Sequence, residues 1–250
     1  MSQFTEQFKR SLAIAKKNIK IYYSKGPVII FGLVFPLFLA LAYVIGRNIP
    51  LKEVLPGIIA MTTFFTATSV GPSIVPWETR SKTLERLLCC PVAFWAIILG
   101  DMLSSFLFGL VISVIPLLLV LTFNVELLNF TILFFGMVIA NLCFSALSVL
   151  LSAYPPTDIP ATSMMLSSLV KFPLVFISGV FIPVEQLPAW GRIVASFSPL
   201  TYFADLTRQS ILNTSFYPIV LDFLAIAIFA AVFLFAAIKI HEKTLAKRIS

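Results

Sequence analysis

The chain has 250 residues, of which 59% are hydrophobic and only 12% charged, and it carries a formal net charge of +7. Soluble domains carry roughly 25% charged residues, so this composition excludes an ordinary soluble protein and indicates an all-α integral membrane protein. Its apolar runs are continuous and reach about 20 residues, which favours spanning helices over alternating strands. With no soluble domain to present a groove, nucleic-acid binding is excluded as well.

The first 25 residues predict an amphipathic helix. Phe4, Phe8, Leu12, Ala15 and Ile19 recur every three or four positions, and lysines occupy the other face. Such a helix can lie in the membrane interface with its apolar stripe in lipid. A soluble helix ahead of the membrane domain is the alternative.

Six spanning helices are predicted after this segment, all within a single membrane domain that covers residues 1–250. They cover residues 27–45, 54–75, 94–121, 130–153, 159–182 and 216–240. Each run must be helical in lipid, because unpaired backbone groups there are costly. Most lysines and arginines lie in the N-terminal segment, in residues 77–91 and in the C-terminal tail. The positive-inside rule therefore places these parts, and both termini, in the cytoplasm.

A charged island at residues 77–91 separates the second and third predicted spans. Its charged side chains are those of Glu78, Arg80, Lys82, Glu85 and Arg86. Leucines at positions 84, 87 and 88 share one helical face, and Pro91 ends the segment. The pattern predicts a short helix with leucines on the membrane domain and charges toward the cytosol, where a soluble partner can dock. A solvated loop is the alternative.

The predicted outer connection, residues 181–215, is too apolar for a plain loop. It contains Pro183, Pro188 and Pro199 and places Trp190 where interfacial aromatic residues lie. We expect one or two short helices that dip into the outer leaflet.

Polar residues within the predicted spans are candidates for a substrate pathway. Lys171 lies near the middle of the fifth span, Asp101 in the third and Asn141 in the fourth. A charge at the membrane centre costs about 2.5–3.5 kcal/mol and usually faces the protein interior. The hypothesis is that Lys171 pairs with an acid or faces a central pathway. A structural role without substrate contact is the alternative.

No catalytic or metal-binding constellation is apparent. The single histidine, His241, is expected to be solvated in the tail, and the three cysteines have no metal-ligand spacing. The chain contains no Gly-Lys dipeptide, so it has no phosphate-binding P-loop. We therefore expect no enzyme activity and no directly bound cofactor.

Three motifs together resemble the permeases of type-2 ABC exporters. Residues 82–91, KTLERLLCCP, match the pattern G-T-L-E-x-L-L-x-x-P, with Lys82 in place of glycine. The second motif is SGVFIP at residues 178–183, followed by Glu185, Pro188 and Trp190. The third is SPLTY at residues 198–202. They occur in the order found in that family.

The resemblance implies a permease that pairs with a second permease subunit and docks an ABC ATP-binding subunit, which would hold ATP and magnesium. It implies a coupling helix in the island, with docking residues Glu78, Arg80, Lys82, Thr83, Leu84, Glu85, Leu87, Leu88 and Pro91. It implies extracellular re-entrant helices before the last span, with Gly179, Pro183, Glu185, Pro188, Trp190 and Pro199. The N-terminal helix resembles the connecting helix of the family.

The implied function is outward transport of a lipophilic, amphipathic or glycan-type substrate across the cell membrane by alternating access. An ATP-independent secondary transporter or channel is the alternative.

Overall fold

A computed structural model describes residues 3–23, 30–45, 50–122 and 128–249, and the regular structure within these ranges is helical. This confirms the prediction of an all-α fold. The α-helices are α1 Gln3–Asn18, α2 Phe35–Val44, α3 Leu51–Ala67, α4 Gly71–Arg80, α5 Thr83–Leu88, α6 Phe94–Thr122, α7 Phe130–Ala153, α8 Pro160–Ile177, α9 Ala189–Ser196, α10 Pro199–Leu212 and α11 Ile219–Ile249.

Five helical segments of the described chain are long and apolar enough to cross a membrane. They cover Lys52–Arg80, Phe94–Leu118, Phe130–Ala153, Pro160–Ile177 and Ile219–Arg248. The chain is therefore a multi-pass membrane protein. The first predicted span is only partly described: a stretch of π-helix at Ile30–Val34 leads into α2, and residues 27–29 lie outside the described ranges. Six spans therefore remain a prediction.

The second predicted span is not one continuous helix. Helix α3 ends at Ala67, residues 68–70 form a break, and α4 then runs on to Arg80, five residues beyond the predicted end. Pro72 contributes to the break because it has no backbone N–H to continue the hydrogen-bond ladder of α3. This broken run is fully enclosed by other helices over its most apolar part.

The fifth predicted span ends early. Helix α8 stops at Ile177, and Gly179 follows with a φ of +74°. That left-handed conformation favours glycine and turns the chain away from the helix axis. The fourth predicted span, by contrast, agrees with α7 at both ends.

The C-terminal tail continues the last span as one helix, α11, and the prediction of a solvated histidine was wrong. His241 is only 1% exposed, with Nε2 3.1 Å from the Ser152 hydroxyl. Arg248 donates to the carbonyl oxygens of Ser152 and Ala153 at 2.6 and 3.3 Å. The last carbonyls of a helix lack internal donors, and a cation there complements the helix dipole. The tail therefore caps the end of α7.

The largest apolar core joins α3, α7 and α10. The Phe64 and Phe144 rings meet edge to face with centroids 5.1 Å apart, and Phe144 meets Phe203 at 6.0 Å. Helix α7 also packs against α6, α4 and α11. The core thus holds the broken α3–α4 run, and the end of α4 projects from it as the first part of the charged island.

Candidate functional site

The charged island is two helices joined by a tight turn, rather than the single short helix that was predicted. Helix α4 ends at Arg80, Ser81 and Lys82 form the turn, and α5 follows from Thr83 to Leu88. Lys82 has φ 55° and ψ 21°, the left-handed conformation. That conformation costs a non-glycine residue about 1–2 kcal/mol. This left-handed geometry therefore explains why the type-2 ABC exporter motif, which residues 82–91 resemble, has glycine at this position. Residues 80–88 are called the docking turn below.

The docking turn exposes mainly positive charge. Arg80, Lys82 and Arg86 are exposed, whereas Glu85 is half-buried. On the other side, Leu84 is buried, and Leu87, Leu88 and Thr83 are half-buried. The predicted leucine face is thus present, with Leu84 as its most enclosed member.

Glu78 is buried, unlike the exposed basic residues of the island, which corrects the prediction that its charge is exposed. It is 0% exposed in the last turns of α4 and forms an ion pair with Lys17 of α1. Nearby, the Asn18 side chain donates to Asp101 of α6 at 2.6 Å. The sequence correctly predicted that Glu78 lies on a helix. It did not indicate that Lys17 of α1 would form an ion pair with it.

Helix α1 also holds the other end of the island. The Gln7 side chain donates to the Pro91 carbonyl at 3.3 Å and accepts from the Ala93 N–H at 2.8 Å. Pro91 itself is exposed and lies beyond the end of α5. With Lys17 at Glu78 and Gln7 at Pro91, α1 braces the chain on both sides of the docking turn.

The contact between α1 and α6 is close and partly polar. The Ser11 hydroxyl donates to the Ala96 carbonyl at 2.8 Å, and a Cβ added to Gly100 would lie 2.8 Å from Ile14. Phe4 and Phe8, in contrast, are exposed at the protein surface, as the predicted lipid-facing stripe requires, but Ala15 is buried. Lipid contact by this stripe remains a prediction.

The three candidate pathway residues make separate polar contacts. Lys171 is 5% exposed and donates from Nζ to the Thr68 carbonyl at 3.3 Å. Lys171 forms no ion pair within the part of the chain that is described. The hypothesis that it pairs with an acid is therefore not supported. Asn141 donates to the Met137 carbonyl at 3.0 Å, and Asp101 accepts from Asn18.

The chain between α8 and α11 is held by two buried charges. Arg208 of α10 donates to the Gly179 carbonyl at 2.7 Å, and the Asp205 carboxylate accepts from the N–H groups of Phe216 and Tyr217 at 2.9 and 2.8 Å. Burial raises the pKa of Asp205 above its usual range, although those N–H donors and Arg208 oppose the shift. Helix α10 is therefore anchored at the turn after α8 and at the start of α11.

The predicted re-entrant residues occupy three different settings. Pro188 immediately precedes α9 and Pro199 is the first residue of α10, positions where a missing N–H costs little. Trp190 on α9 is 72% exposed. Pro183 and Glu185 line a cavity of about 450 Å³.

That cavity, called the outer cavity below, lies between α3, the turn after α8 and helix α10. Its charged lining residues are Glu53, Glu185, Asp205 and Arg208. Tyr43, Phe181 and Phe216 add aromatic surface. The sequence motifs pointed to Glu185 and Pro183, but nothing in the sequence indicated that Glu53, from the start of α3, would meet them.

Comparison with known proteins places the fold in a family. The family model for ABC-2 type transporters matches residues 9–212. A probable multidrug ABC transporter permease of Escherichia coli K12, YbhR, is 27% identical over 170 residues, covering 62% of this chain and 42% of the relative. The putative transport permease ycf38 of Cyanophora paradoxa is 28% identical over 161 residues, covering 61% and 53%.

Nodulation protein J of Rhizobium leguminosarum is 33% identical over 75 residues, covering 30% of this chain and 28% of that protein. The chain thus spans about half the length of the relatives it matches, or less. The family match covers most of the chain and includes the docking turn and the Gly179 turn. The chain therefore belongs to the ABC-2 type transporter family and is a membrane permease of that family.

Proposed function

We propose that this chain is the permease of an ATP-driven exporter and that residues 80–88 dock its ATP-binding subunit. The observation that carries the proposal is the geometry of the docking turn. It projects from the end of a helix that is buried in the core, and α1 braces it on both sides through Lys17 and Gln7. A movement of this turn is therefore transmitted to the membrane helices through side chains that are packed together.

The charge of the docking turn defines the surface that its partner presents. Arg80, Lys82 and Arg86 are exposed, and Glu78 is withdrawn into its pair with Lys17. An acidic cleft on the ATP-binding subunit complements this surface. Complementary charge raises the rate of association and suppresses wrong partners. ATP and magnesium are bound by that subunit, and neither is held by this chain.

The remaining parts of the proposal follow from the same arrangement. Two permease subunits pair in the cell membrane, each with six spans, with both termini and the docking turn in the cytoplasm. The Gly179 turn, α9 and α10 then form the re-entrant outer segment. ATP-driven closure of the two ATP-binding subunits switches the permease from inward-open to outward-open.

The substrate is proposed to be lipophilic or amphipathic, with a glycan-type substrate as the other option. The multidrug designation of the E. coli relative supports the former. So does the mixture of aromatic and charged groups in the outer cavity, which suits a molecule with both an apolar body and a polar group.

Charge reversal on the docking turn tests the proposal. The chain is co-expressed with the ABC ATP-binding subunit of its own genome and purified, and the affinity between them is measured. Arg80→Glu and Arg86→Glu are expected to weaken binding at least about tenfold, equivalent to about 1.4 kcal/mol. Lys52→Glu, an exposed cation at the start of α3, is the matched control and leaves binding unchanged. Equal affinity for all variants would refute docking at this turn.

A further inference from the structure

Two carbonyl groups, one in the break between α3 and α4 and one in the first turn of α4, lack their normal helical donors. In an α-helix the carbonyl of residue i accepts from the N–H of residue i+4. The partner of Thr68 would be Pro72, and the partner of Pro72 would be Pro76, and proline has no N–H. The break between α3 and α4 therefore leaves two acceptors in the interior of the protein, where an unpaired polar group is costly.

Helix α8 supplies both missing donors from side chains. Lys171 donates to the Thr68 carbonyl at 3.3 Å, and the Ser163 hydroxyl donates to the Pro72 carbonyl at 2.7 Å. Both side chains are buried. They are two turns apart and so lie on the same face of α8, which is the face packed against α4. We call these two hydrogen bonds the α4–α8 clips.

Helix α8 also makes smaller contacts with α7, α9 and α10, and its Phe172 ring packs against Phe35 and Phe65. Met165, Leu169 and Phe176 on its other faces are exposed. The buried positions of α8 form one stripe that includes Ser163, Ser167 and Lys171. Among the contacts of α8, the one with α4 is the most extensive.

The two clipped helices connect opposite ends of the molecule. Helix α4 leads directly into the docking turn, and α8 leads directly into the Gly179 turn and the wall of the outer cavity. We infer that Lys171 and Ser163 are positioning residues that make α8 follow α4 as one rigid pair. A displacement of the docking turn by the ATP-binding subunit is then carried to the outer cavity. This inference rests on the proposed docking function.

The clips account for a buried lysine that has no acid partner in the described structure. The ammonium group is needed as a long-reaching donor to a carbonyl that no backbone N–H can serve. On this account Lys171 acts through α4 and the backbone of Thr68, without contact with the transported substrate.

Distances between spin labels in the assembled transporter test the inference. The native exposed cysteines are first replaced (Cys89→Ser and Cys90→Ser), and Cys143 is buried. One label pair, Trp77→Cys with Leu169→Cys in only one of the two paired permease subunits, reports on α4 and α8. A second pair, Trp77→Cys with Val232→Cys, reports on α4 and α11. All three positions are exposed, and both distances are measured without nucleotide and with trapped ATP.

With both clips intact, we expect the α4–α8 distance to change by no more than about 2 Å between the nucleotide-free and ATP-trapped states. The α4–α11 distance is expected to change by more than about 2 Å, which is the ordinary size of helix shifts at interfaces. The combined variant Lys171→Met and Ser163→Ala removes both donors, and its first distance is expected to change with ATP. Lys171→Arg with Ser163→Thr keeps a long-reaching donor at position 171 and a hydroxyl donor at position 163, and is expected to restore the constant distance.

Two results would overturn the inference. One is a first distance that changes with ATP while the clips are intact, a measurement that needs no substitution at either clip residue. The other is a doubly substituted variant that keeps the constant distance. Binding of the ATP-binding subunit is measured in the same samples, so a failure of docking, which would refute the proposed function, is distinguished from a failure of the clips.

Discussion

The ion pair between Lys17 and Glu78 gives the sharpest test of how α1 supports the docking turn. Lys17→Met keeps the length of the side chain but removes its charge. Glu78 is 0% exposed, so its carboxylate would then be left in the interior without its cation. Asp101, another buried acid, lies close by and accepts a hydrogen bond from Asn18, so it offers Glu78 no compensating cation.

The size of the effect follows from the burial of the two partners. Removing one member of a buried ion pair typically costs about 3–5 kcal/mol. The Lys17 side chain is 31% exposed, so water already screens part of the attraction. We therefore expect the lower end of that range, about 3 kcal/mol of the free energy of unfolding. Adding Glu78→Gln removes the stranded charge and should reduce the cost to about 1 kcal/mol, that of an unpaired polar group.

The chain offers both a reporter and a control for this experiment. Phe4 of α1 stacks on Trp95 of α6 with ring centroids 5.6 Å apart, so tryptophan fluorescence reports on the release of α1 during titration with a denaturing detergent. Lys16→Met, at the exposed neighbouring position, should change the free energy of unfolding by no more than about 0.5 kcal/mol. The reasoning is refuted if Lys17→Met costs no more than Lys16→Met, or if the double variant is as unstable as Lys17→Met alone.

Three further predictions use the same unfolding measurement. Lys82→Gly should stabilise the chain by about 0.5–1 kcal/mol, because glycine adopts the left-handed turn without steric cost but loses more entropy on folding; destabilisation would contradict the turn geometry. Gly100→Ala should destabilise the chain by about 1–3 kcal/mol, because its new Cβ would lie under 3 Å from atoms of α1. Gly136→Ala is the control and should be nearly neutral, because its new Cβ would make only ordinary van der Waals contacts. Equal effects of the two substitutions would contradict the close α1–α6 packing. Asp205→Ala should cost about 1–3 kcal/mol, because two backbone N–H groups lose their acceptor. A free energy of unfolding unchanged from the parent would contradict this anchoring role.

The spanning helices could be predicted from the sequence because their signal is local. A continuous apolar run must become a helix in lipid whatever its neighbours are, so the bounds of α7 were predicted correctly. The end of α8 was missed, although Gly179 was recognised as part of a motif. Its left-handed φ became evident only from the structure.

Pairwise contacts between distant helices could not be predicted in this way. The lysines of α1 look alike in the sequence, and only the packing of α1 on α6 brings Lys17 beside Glu78 at the end of α4. The burial of His241 has the same cause, since it depends on where the end of α7 lies. Pro72 and Pro76 each lack a backbone N–H, so two donors are missing from this run of helix. What the sequence did not contain was the identity of the helix that replaces them.

The claim at the centre of this account is that the docking turn lies in the cytoplasm and binds an ATP-binding subunit. The chain carries its own probes, because Cys89 and Cys90 are exposed directly after α5 and Cys143 is buried. A membrane-impermeant maleimide is applied to inside-out and right-side-out vesicles, with and without the ATP-binding subunit.

We predict labelling of Cys89 and Cys90 in inside-out vesicles only, with strong protection when the ATP-binding subunit is bound. Labelling in right-side-out vesicles, or labelling that the bound subunit leaves unchanged, would contradict the account.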